Sequence, residues 1–146
     1  MKVIAVHKDR LQWAEHPDPA CGRRDVIVKI HAAGVNRADL LQRRGMYIPP
    51  QGTTDIMGLE CAGEIVETGS EHGKWEVGDR VCALLPGGGY AQYVNVPYRM
   101  LLPVPDEMPY EEAAALPEAF ATSYLNLFTE GKLRPGERCI IHAGAR

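Results

Sequence analysis

The sequence predicts a mainly β fold with short helices, followed by the first helix and strand of an α/β unit. The first observation is a series of roughly six or seven short strand-like segments separated by turn residues, which is typical of a small, partly open barrel or a sandwich. The second is a change to helical spacing of apolar residues from Tyr110 onwards. The third is the continuous apolar run Arg138–His142, which is typical of a strand at the centre of a parallel sheet.

The first three predicted strands lie before Gly34. Lys2–His7 alternates between apolar and polar residues, and Leu11–Glu15 can return beside it as a hairpin partner. Val26–Ala33 is the strongest strand prediction, because β-branched residues favour extended backbone.

A short helix is predicted at Arg37–Arg44. Asn36 is placed to cap it, with its side-chain oxygen accepting a hydrogen bond from a free backbone N–H. Gly45 stands where a C-terminal glycine belongs. We expect Leu40 and Leu41 to face the core.

Four further strands follow this helix. Their turn signals include Pro86–Gly89, a tight and flexible connection. The predicted strands are Cys61–Thr68, a strand entered through Val77–Val81 and ending at Leu85, then Tyr90–Val96 and Met100–Val104.

The last part of the chain has helical character and then ends in an apolar run. Helices are predicted at Tyr110–Ala115 and Glu118–Glu130, with Pro117 either stopping the first or beginning the second. After the predicted strand Arg138–His142, Gly144 begins a turn of small residues. A strand followed by such a turn is how a dinucleotide-binding unit opens, because the turn brings backbone N–H groups to a pyrophosphate.

Composition and charge exclude several classes of function. The formal net charge of −3 argues against nucleic acid as a partner, because phosphate binding usually requires a basic excess. No apolar run approaches the roughly 20 residues of a membrane span. The N-terminus enters a strand rather than a signal sequence, so we expect a cytoplasmic protein. The four cysteines are far apart in sequence, which predicts reduced, mostly buried thiols.

The stretch Gly34–Tyr47 is the best candidate for a small-molecule site. It places Asn36 and Asp39 where a strand gives way to a helix, and it ends on Tyr47 beside Pro49. Polar groups at such a turn, next to a tyrosine in a proline-braced loop, favour ligand binding.

Five motifs occur in an order and spacing that covers essentially all 146 residues. They are G-V-N-R-A-D (Gly34–Asp39), G-L-E-C-A-G-E-I-V-E-T-G (Gly58–Gly69), V-G-D-R-V (Val77–Val81), Gly87–Val94, and the run Ala114–Leu125 with I-I-H-A-G. Together they resemble the medium-chain dehydrogenase/reductase superfamily. The resemblance implies a GroES-like catalytic domain at 1–116, followed at 117–146 by the interdomain helix and first strand of an incomplete Rossmann domain.

Two positions decide the metal question within that superfamily. Its zinc alcohol dehydrogenases place a cysteine ligand in the turn after the second long strand and a histidine ligand before the glutamate of G-H-E. This sequence has Asn36 and Leu59 there, and neither suits catalytic zinc. The resemblance therefore implies no metal.

The segments G-V-N-R-A-D-L-L-Q-R-x-G-x-Y-x-P-P and L-L-P-G-G-G-x-A-Q-Y-V are similar to the zinc-free quinone oxidoreductases, and especially to the p53-inducible subgroup. This similarity implies NADPH-dependent transfer of hydride to quinones or activated alkenals in a cleft between two domains. It also implies a full-length homodimer or homotetramer.

The resemblance assigns catalytic roles to three residues. Asn36 would be a pocket amide near nicotinamide and substrate, although a helix cap alone also explains it. Tyr47 would stack on a flat quinone and hydrogen-bond a carbonyl oxygen, although a loop tyrosine can simply cover apolar surface. Asp39 could touch substrate or only orient the helix.

Further residues would act around the cofactor. Asn36, Thr122 and Gly144 would bind NADPH, with Thr122 near the nicotinamide carboxamide. Thr122 could equally be a mid-helix hydroxyl that bonds back to the preceding turn. Glu60 is expected to be a hydrogen-bonding residue behind the pocket.

The cofactor site is incomplete in this chain, because no helix or ribose-binding acid follows Gly144. We therefore expect 1–146 alone to be inactive. The alternatives are a stand-alone GroES-like binding or assembly module and a regulatory partner of full-length subunits.

Overall fold

The computed structural model describes residues 1–8 and 10–142. This part of the chain is mainly β with short helices, as predicted. Its elements are β1 (Lys2–His7), β2 (Arg10–Glu15), β3 (Asp25–Ala33), α1 (Arg37–Arg43), β4 (Glu60–Thr68), β5 (Arg80–Leu84), β6 (Tyr93–Pro97), a 3₁₀ turn (Tyr98–Met100), β7 (Leu101–Pro103), α2 (Tyr110–Ala113), α3 (Pro117–Tyr124) and a π-helix (Leu125–Glu130).

Five strands form one antiparallel sheet in the order β6-β3-β4-β5-β7. β1 and β2 form a separate hairpin, and an isolated bridge between Val3 and Ala91 joins it to the segment just before β6. The largest fully buried side chains of the sheet are branched aliphatics, which fit a pleated surface: Val26, Val28, Ile65, Val81 and Val96.

A second, smaller core lies on the opposite face of the sheet. Because neighbouring residues of a strand point to opposite faces, Cys61 packs in the main core while Ala62 packs in the smaller one. The small side chains of this second core let α2 approach the sheet closely. Its buried members are Ala62, Cys82, Val104, Ala113 and Ala114.

Arg80 fixes the segment that leads from the sheet into α2. Its guanidinium donates to the carbonyl oxygens of Pro105 (2.9 Å) and Met108 (2.6 Å). It also lies 4.5 Å from the centre of the Tyr110 ring, which stacks against His31 at 4.5 Å. These contacts hold the start of α2 against the sheet.

The inward face of α1 differs from the prediction. Leu40 is 44% exposed and Leu41 is half-buried, whereas Asp39 is only 2% exposed. Successive residues of a helix are rotated by about 100°, so burying Asp39 turns its neighbour Leu40 outwards. The buried carboxylate accepts one hydrogen bond from the nearby Asn36 N–H and one from the distant Tyr90 hydroxyl, and the local pattern does not reveal the second.

The predicted strand Arg138–His142 is wrong for this structure. Residues 138–141 have no regular structure, and Ile140 is 87% exposed. A strand needs a neighbour that supplies hydrogen-bonding partners, and no described residue pairs with this run. The helix predicted at Glu118–Glu130 does form, but it changes from an α-helix to a π-helix at Leu125.

Candidate active site

Glu60, the first residue of β4, joins three parts of the chain. Its carboxylate is almost fully buried, with the residue 3% exposed. Oε1 accepts a hydrogen bond from Asn36 Nδ2 at 2.9 Å, and Oε2 accepts one from the backbone N–H of Glu118 at 2.8 Å. We call Asn36, Glu60 and the Glu118 amide the glutamate clasp, because they connect β4, the turn before α1 and the first turn of α3.

The position of Glu118 explains why a carboxylate is stable there. The first four N–H groups of a helix have no partner within the helix, and the helix dipole favours negative charge at this end. Pro117 occupies the first position of α3, so the N–H of Glu118 is the first one available. Glu60 therefore acts as a long-range cap of α3.

Asp39 holds the backbone of the same turn. Its Oδ2 accepts hydrogen bonds from the Asn36 N–H at 2.7 Å and from the Tyr90 hydroxyl at 2.9 Å. Burial and the neighbouring Asp39 carboxylate raise the pKa of Tyr90 above its usual value, so the phenol remains a donor. Asp39 is thus enclosed, and its hydrogen bonds join the turn before α1 to Tyr90.

Two glycines allow these side chains to come together. A Cβ on Gly34 would overlap the Oε1 atom of Glu60. Gly58 has φ +99°, and a Cβ there would lie 2.6 Å from the backbone nitrogen of Tyr90. Only glycine meets both requirements without displacing the neighbouring residues.

Thr122 lies in α3, one helical turn after Glu118. Its hydroxyl donates to the side-chain Oε1 of Glu118 at 3.0 Å, so it does bond back to the preceding turn. Its side chain is exposed and remains open to a ligand. Gly144 lies outside the described residues.

Tyr47 is separated from this group. Its half-buried ring lines a cavity of about 490 Å³ together with Gln42, Pro49 and Met57. The lining of that cavity does not include Asn36, which lies at the other end of α1. The structure therefore brings together Asn36 and Asp39, links Thr122 to them through the glutamate clasp, and leaves Tyr47 at a neighbouring cavity.

Sequence reasoning missed Tyr90 and the amide of Glu118. Tyr90 is 51 residues from Asp39, and Glu118 is 58 residues from Glu60. The only local signal for Tyr90 was the glycine run before it, which requires close backbone approach. No signal marked the Glu118 amide, because every helix has such a group in its first turn.

The residues present do not fit a catalytic zinc ion. Leu59 is apolar and 8% exposed, and the amide nitrogen of Asn36 already donates to Glu60. Over residues 1–8 and 10–142, no three His, Cys, Asp or Glu side chains are grouped as a metal site requires.

The exposed face of α3 and the π-helix is aromatic. Phe120 is 67% exposed, Tyr124 65% and Phe128 48%. Phe120 and Tyr124 line a groove of about 810 Å³ together with Leu102. None of the helices in the described part of the chain has the length and apolar character needed to cross a membrane.

Comparison with known proteins identifies the fold family. Residues 22–106 match the family described as "Alcohol dehydrogenase GroES-like domain". The synaptic vesicle membrane protein VAT-1 homolog of Mus musculus is 38% identical over 140 residues, which cover 94% of this chain and 34% of that protein.

Two solved structures show the same architecture. The CurK enoyl reductase superposes with a TM-score of 0.85 at 28% identity, covering 94% of this chain and 45% of that one. The quinone oxidoreductase of Thermus thermophilus, also solved as a complex with NADPH, gives 0.74 at 35% identity, covering 94% and 43%.

This chain thus spans about a third of the curated relative and less than half of either solved chain. The matched segment includes β3, β4 and β5, and with them Asn36, Asp39 and Glu60. By sequence and by fold, the chain belongs to the alcohol dehydrogenase GroES-like domain family of the medium-chain dehydrogenase/reductase superfamily.

Proposed function

We propose that this chain is the catalytic-domain part of a zinc-independent reductase that transfers hydride from NADPH to quinones or activated alkenals. The observation that carries the proposal is a continuous hydrogen-bonded path between the two described residues assigned to the cofactor. It runs from Asn36 through Glu60 to the Glu118 amide, and from the Glu118 side chain to Thr122.

The chain's own residues suit a nicotinamide ring. Asn36 offers a side-chain amide and Thr122 an exposed hydroxyl, and both groups can hydrogen-bond a carboxamide. Bound NADPH would supply the hydride, so the protein has to position its ligands rather than perform difficult acid–base chemistry. Gly144 is proposed to contribute to the pyrophosphate turn.

Tyr47 is proposed to contact the acceptor rather than the cofactor. It follows α1 while Asn36 precedes it, so the two residues reach different parts of a pair of ligands. Its ring can stack on a flat quinone, and its hydroxyl can donate to an oxygen that gains negative charge. Asp39 is proposed to keep the Asn36 backbone in place during this step.

Two observations support a domain boundary at residue 116. The second core ends at Ala113 and Ala114, and α3 then presents exposed aromatic side chains. We propose that 1–116 form the GroES-like domain and that 117–146 begin a dinucleotide-binding domain. The protein would belong to the p53-inducible quinone oxidoreductase subgroup and assemble as a homodimer or homotetramer.

An enoyl group is a second candidate acceptor. The similarity to the CurK enoyl reductase favours it, with a TM-score of 0.85. Quinones, alkenals and enoyl thioesters all carry a carbon–carbon double bond conjugated to a carbonyl, so the same hydride donor can reduce each of them. The shape of the acceptor cavity would then decide among them.

The test begins with the coding frame. The frame is read past Arg146, the encoded protein is purified, and NADPH oxidation is followed with a naphthoquinone, an alkenal and an enoyl thioester. Oxidation of a primary alcohol with NADP⁺ is the control reaction. We expect turnover with a quinone or an alkenal that survives dialysis against a chelator.

Three results would overturn the proposal. They are turnover of the alcohol alone, loss of activity on chelation, and a stop codon directly after Arg146. Preference for the enoyl thioester would select the second candidate. Substitution of Asn36 by Ala should raise the KM for NADPH, whereas Tyr47→Phe should raise the KM for the acceptor.

A further inference from the structure

We propose that Glu60 is a positioning residue. Because it binds both Asn36 and the first turn of α3, the position of the Asn36 amide depends on that turn. The inference rests on the proposed function, because Asn36 is there assigned to the nicotinamide. It assigns Glu60 no contact with the cofactor or the acceptor. Its effect on the reaction passes through Asn36.

The chemistry of the clasp requires a carboxylate at position 60. Both groups that face it, Asn36 Nδ2 and the Glu118 backbone N–H, are donors. A carboxylate accepts at both oxygens, whereas a carboxamide has one acceptor oxygen and one donor NH₂ group. Glutamine at this position would lose the negative charge, and it could satisfy both partners only if the Asn36 amide turned over to present its oxygen.

The same argument fixes the orientation of Asn36. An ionised carboxylate can only accept, so the nitrogen end of the Asn36 amide must face Glu60. The orientation of this amide in the site is thus set by a residue of β4, 24 positions along the chain.

Burial makes the two hydrogen bonds interdependent. Glu60 is 3% exposed, so its charge is stable only while both donors and the end of the α3 dipole compensate it. The carboxylate occupies the space that a Cβ on Gly34 would fill, so any larger residue at position 34 would displace it. A shift of α3 would draw the carboxylate with it, and Asn36 would lose its partner.

The test measures hydrogen exchange of the Glu118 amide and the NMR signals of the Asn36 side-chain amide in the 146-residue chain. No cofactor is needed, so failure of this inference is distinct from failure of the proposed reaction. We expect Glu60→Gln to accelerate exchange at Glu118 about tenfold and to shift the Asn36 signals. Glu67→Gln, an exposed site on the same strand, is the matched control.

A reversed pair provides the rescue. In the double variant N36D/E60Q, the NH₂ group of the introduced glutamine can donate to the new carboxylate at position 36, while its oxygen accepts from the Glu118 amide. We expect protection at Glu118 to return to within about twofold of the wild type. Asn36→Ala alone should accelerate exchange at Glu118 severalfold, although the two groups do not touch.

Each alternative result would overturn the proposal. Unchanged exchange at Glu118 in E60Q would show that the carboxylate does not hold α3. Normal exchange in Asn36→Ala would show that the two bonds are independent, so that Glu60 has only a local structural role. A third result is an N36D/E60Q variant that still unfolds cooperatively without restored protection at Glu118. That result would show that protection of this amide does not depend on how donors and acceptors are arranged.

Discussion

Both the five-stranded sheet and the segment 117–142 carry large apolar side chains, yet only the sheet buries them. Ile65 and Val81 are 0% exposed, whereas Phe120 is 67% and Ile140 is 87% exposed. The period of a sequence pattern predicts the local conformation, but burial requires a second element that packs against it. The glutamate clasp lies where these two regions meet.

The largest expected effect tests the difference in burial directly. Ile65→Ala should lower the free energy of unfolding by about 2–5 kcal/mol, because it removes buried contacts and leaves a cavity. Ile140→Ala, the matched change in the exposed segment, should alter it by less than about 0.5 kcal/mol. Urea unfolding of both variants provides the measurement. Equal losses would mean that the segment is packed in solution and that the two regions do not differ.

The stability of the fold should be nearly as sensitive to substitutions at the junction of the two regions, where Gly34 lies beside Glu60. Gly34→Ala should cost about 1–3 kcal/mol of unfolding free energy, because the new methyl group overlaps Oε1 of Glu60. In a Glu60→Ala background the overlap is absent, and the same substitution should cost less than about 0.5 kcal/mol. A double-mutant cycle by chemical denaturation measures this coupling. Additive losses would contradict the close approach.

Substitution of Tyr90 tests whether its hydrogen bond to Asp39 stabilises the turn of the candidate site. Tyr90→Phe removes the hydroxyl that donates to Asp39 and should cost about 1–2 kcal/mol of unfolding free energy. Tyr93→Phe is the control, since this half-buried tyrosine has no side-chain hydrogen bond in the described structure. Thermal unfolding compares the two variants. Equal stability would mean that the Asp39–Tyr90 hydrogen bond does not stabilise the fold.

The last prediction is an alkaline effect, absent at neutral pH, that separates two thiols. Burial raises the pKa of Cys61 from 9.0 to about 12, whereas Cys139 is exposed. The stability due to a raised pKa is complete below the unfolded value and is lost as pH rises towards the folded one. Between pH 9 and 12 this thiol should therefore reduce the unfolding free energy by up to about 1.4 kcal/mol per pH unit.

Denaturation series at several pH values check this. Cys61→Ala should flatten the decline, and Cys139→Ala should leave it unchanged. An identical slope in both variants would mean that Cys61 titrates without a folding penalty.

The strands were predictable from sequence because their information is local. Alternation and β-branched residues located β3 and β4, and the resulting mainly β fold is confirmed. The strand prediction at Arg138–His142 was wrong because an apolar run does not supply the neighbouring strand that it needs. The prediction that Leu40 faces the core was wrong because Asp39, which bonds to the distant Tyr90, occupies the inward face of α1.

The candidate site was predictable only in part for the same reason. The turn that holds Asn36 and Asp39 is local, and the sequence located it. The contacts of Glu60 with Asn36 and Glu118 depend on how three elements pack together. The assignments of Asn36, Tyr47, Asp39, Thr122 and Gly144 to catalysis and cofactor binding stay predictions.

The change from α3 to the π-helix determines the shape of the exposed aromatic face. Four residues of an α-helix overshoot one turn by about 40°, so side chains spaced by four drift steadily around the axis. In the wider π-helix, four residues fall short of a turn, and the drift reverses. Phe128 therefore returns towards the angular position of Phe120 instead of moving further round beyond Tyr124, and the Tyr124 and Phe128 rings lie 5.2 Å apart. The three rings thus share a narrow sector of the helix surface, whereas a uniform α-helix would spread them along a spiral.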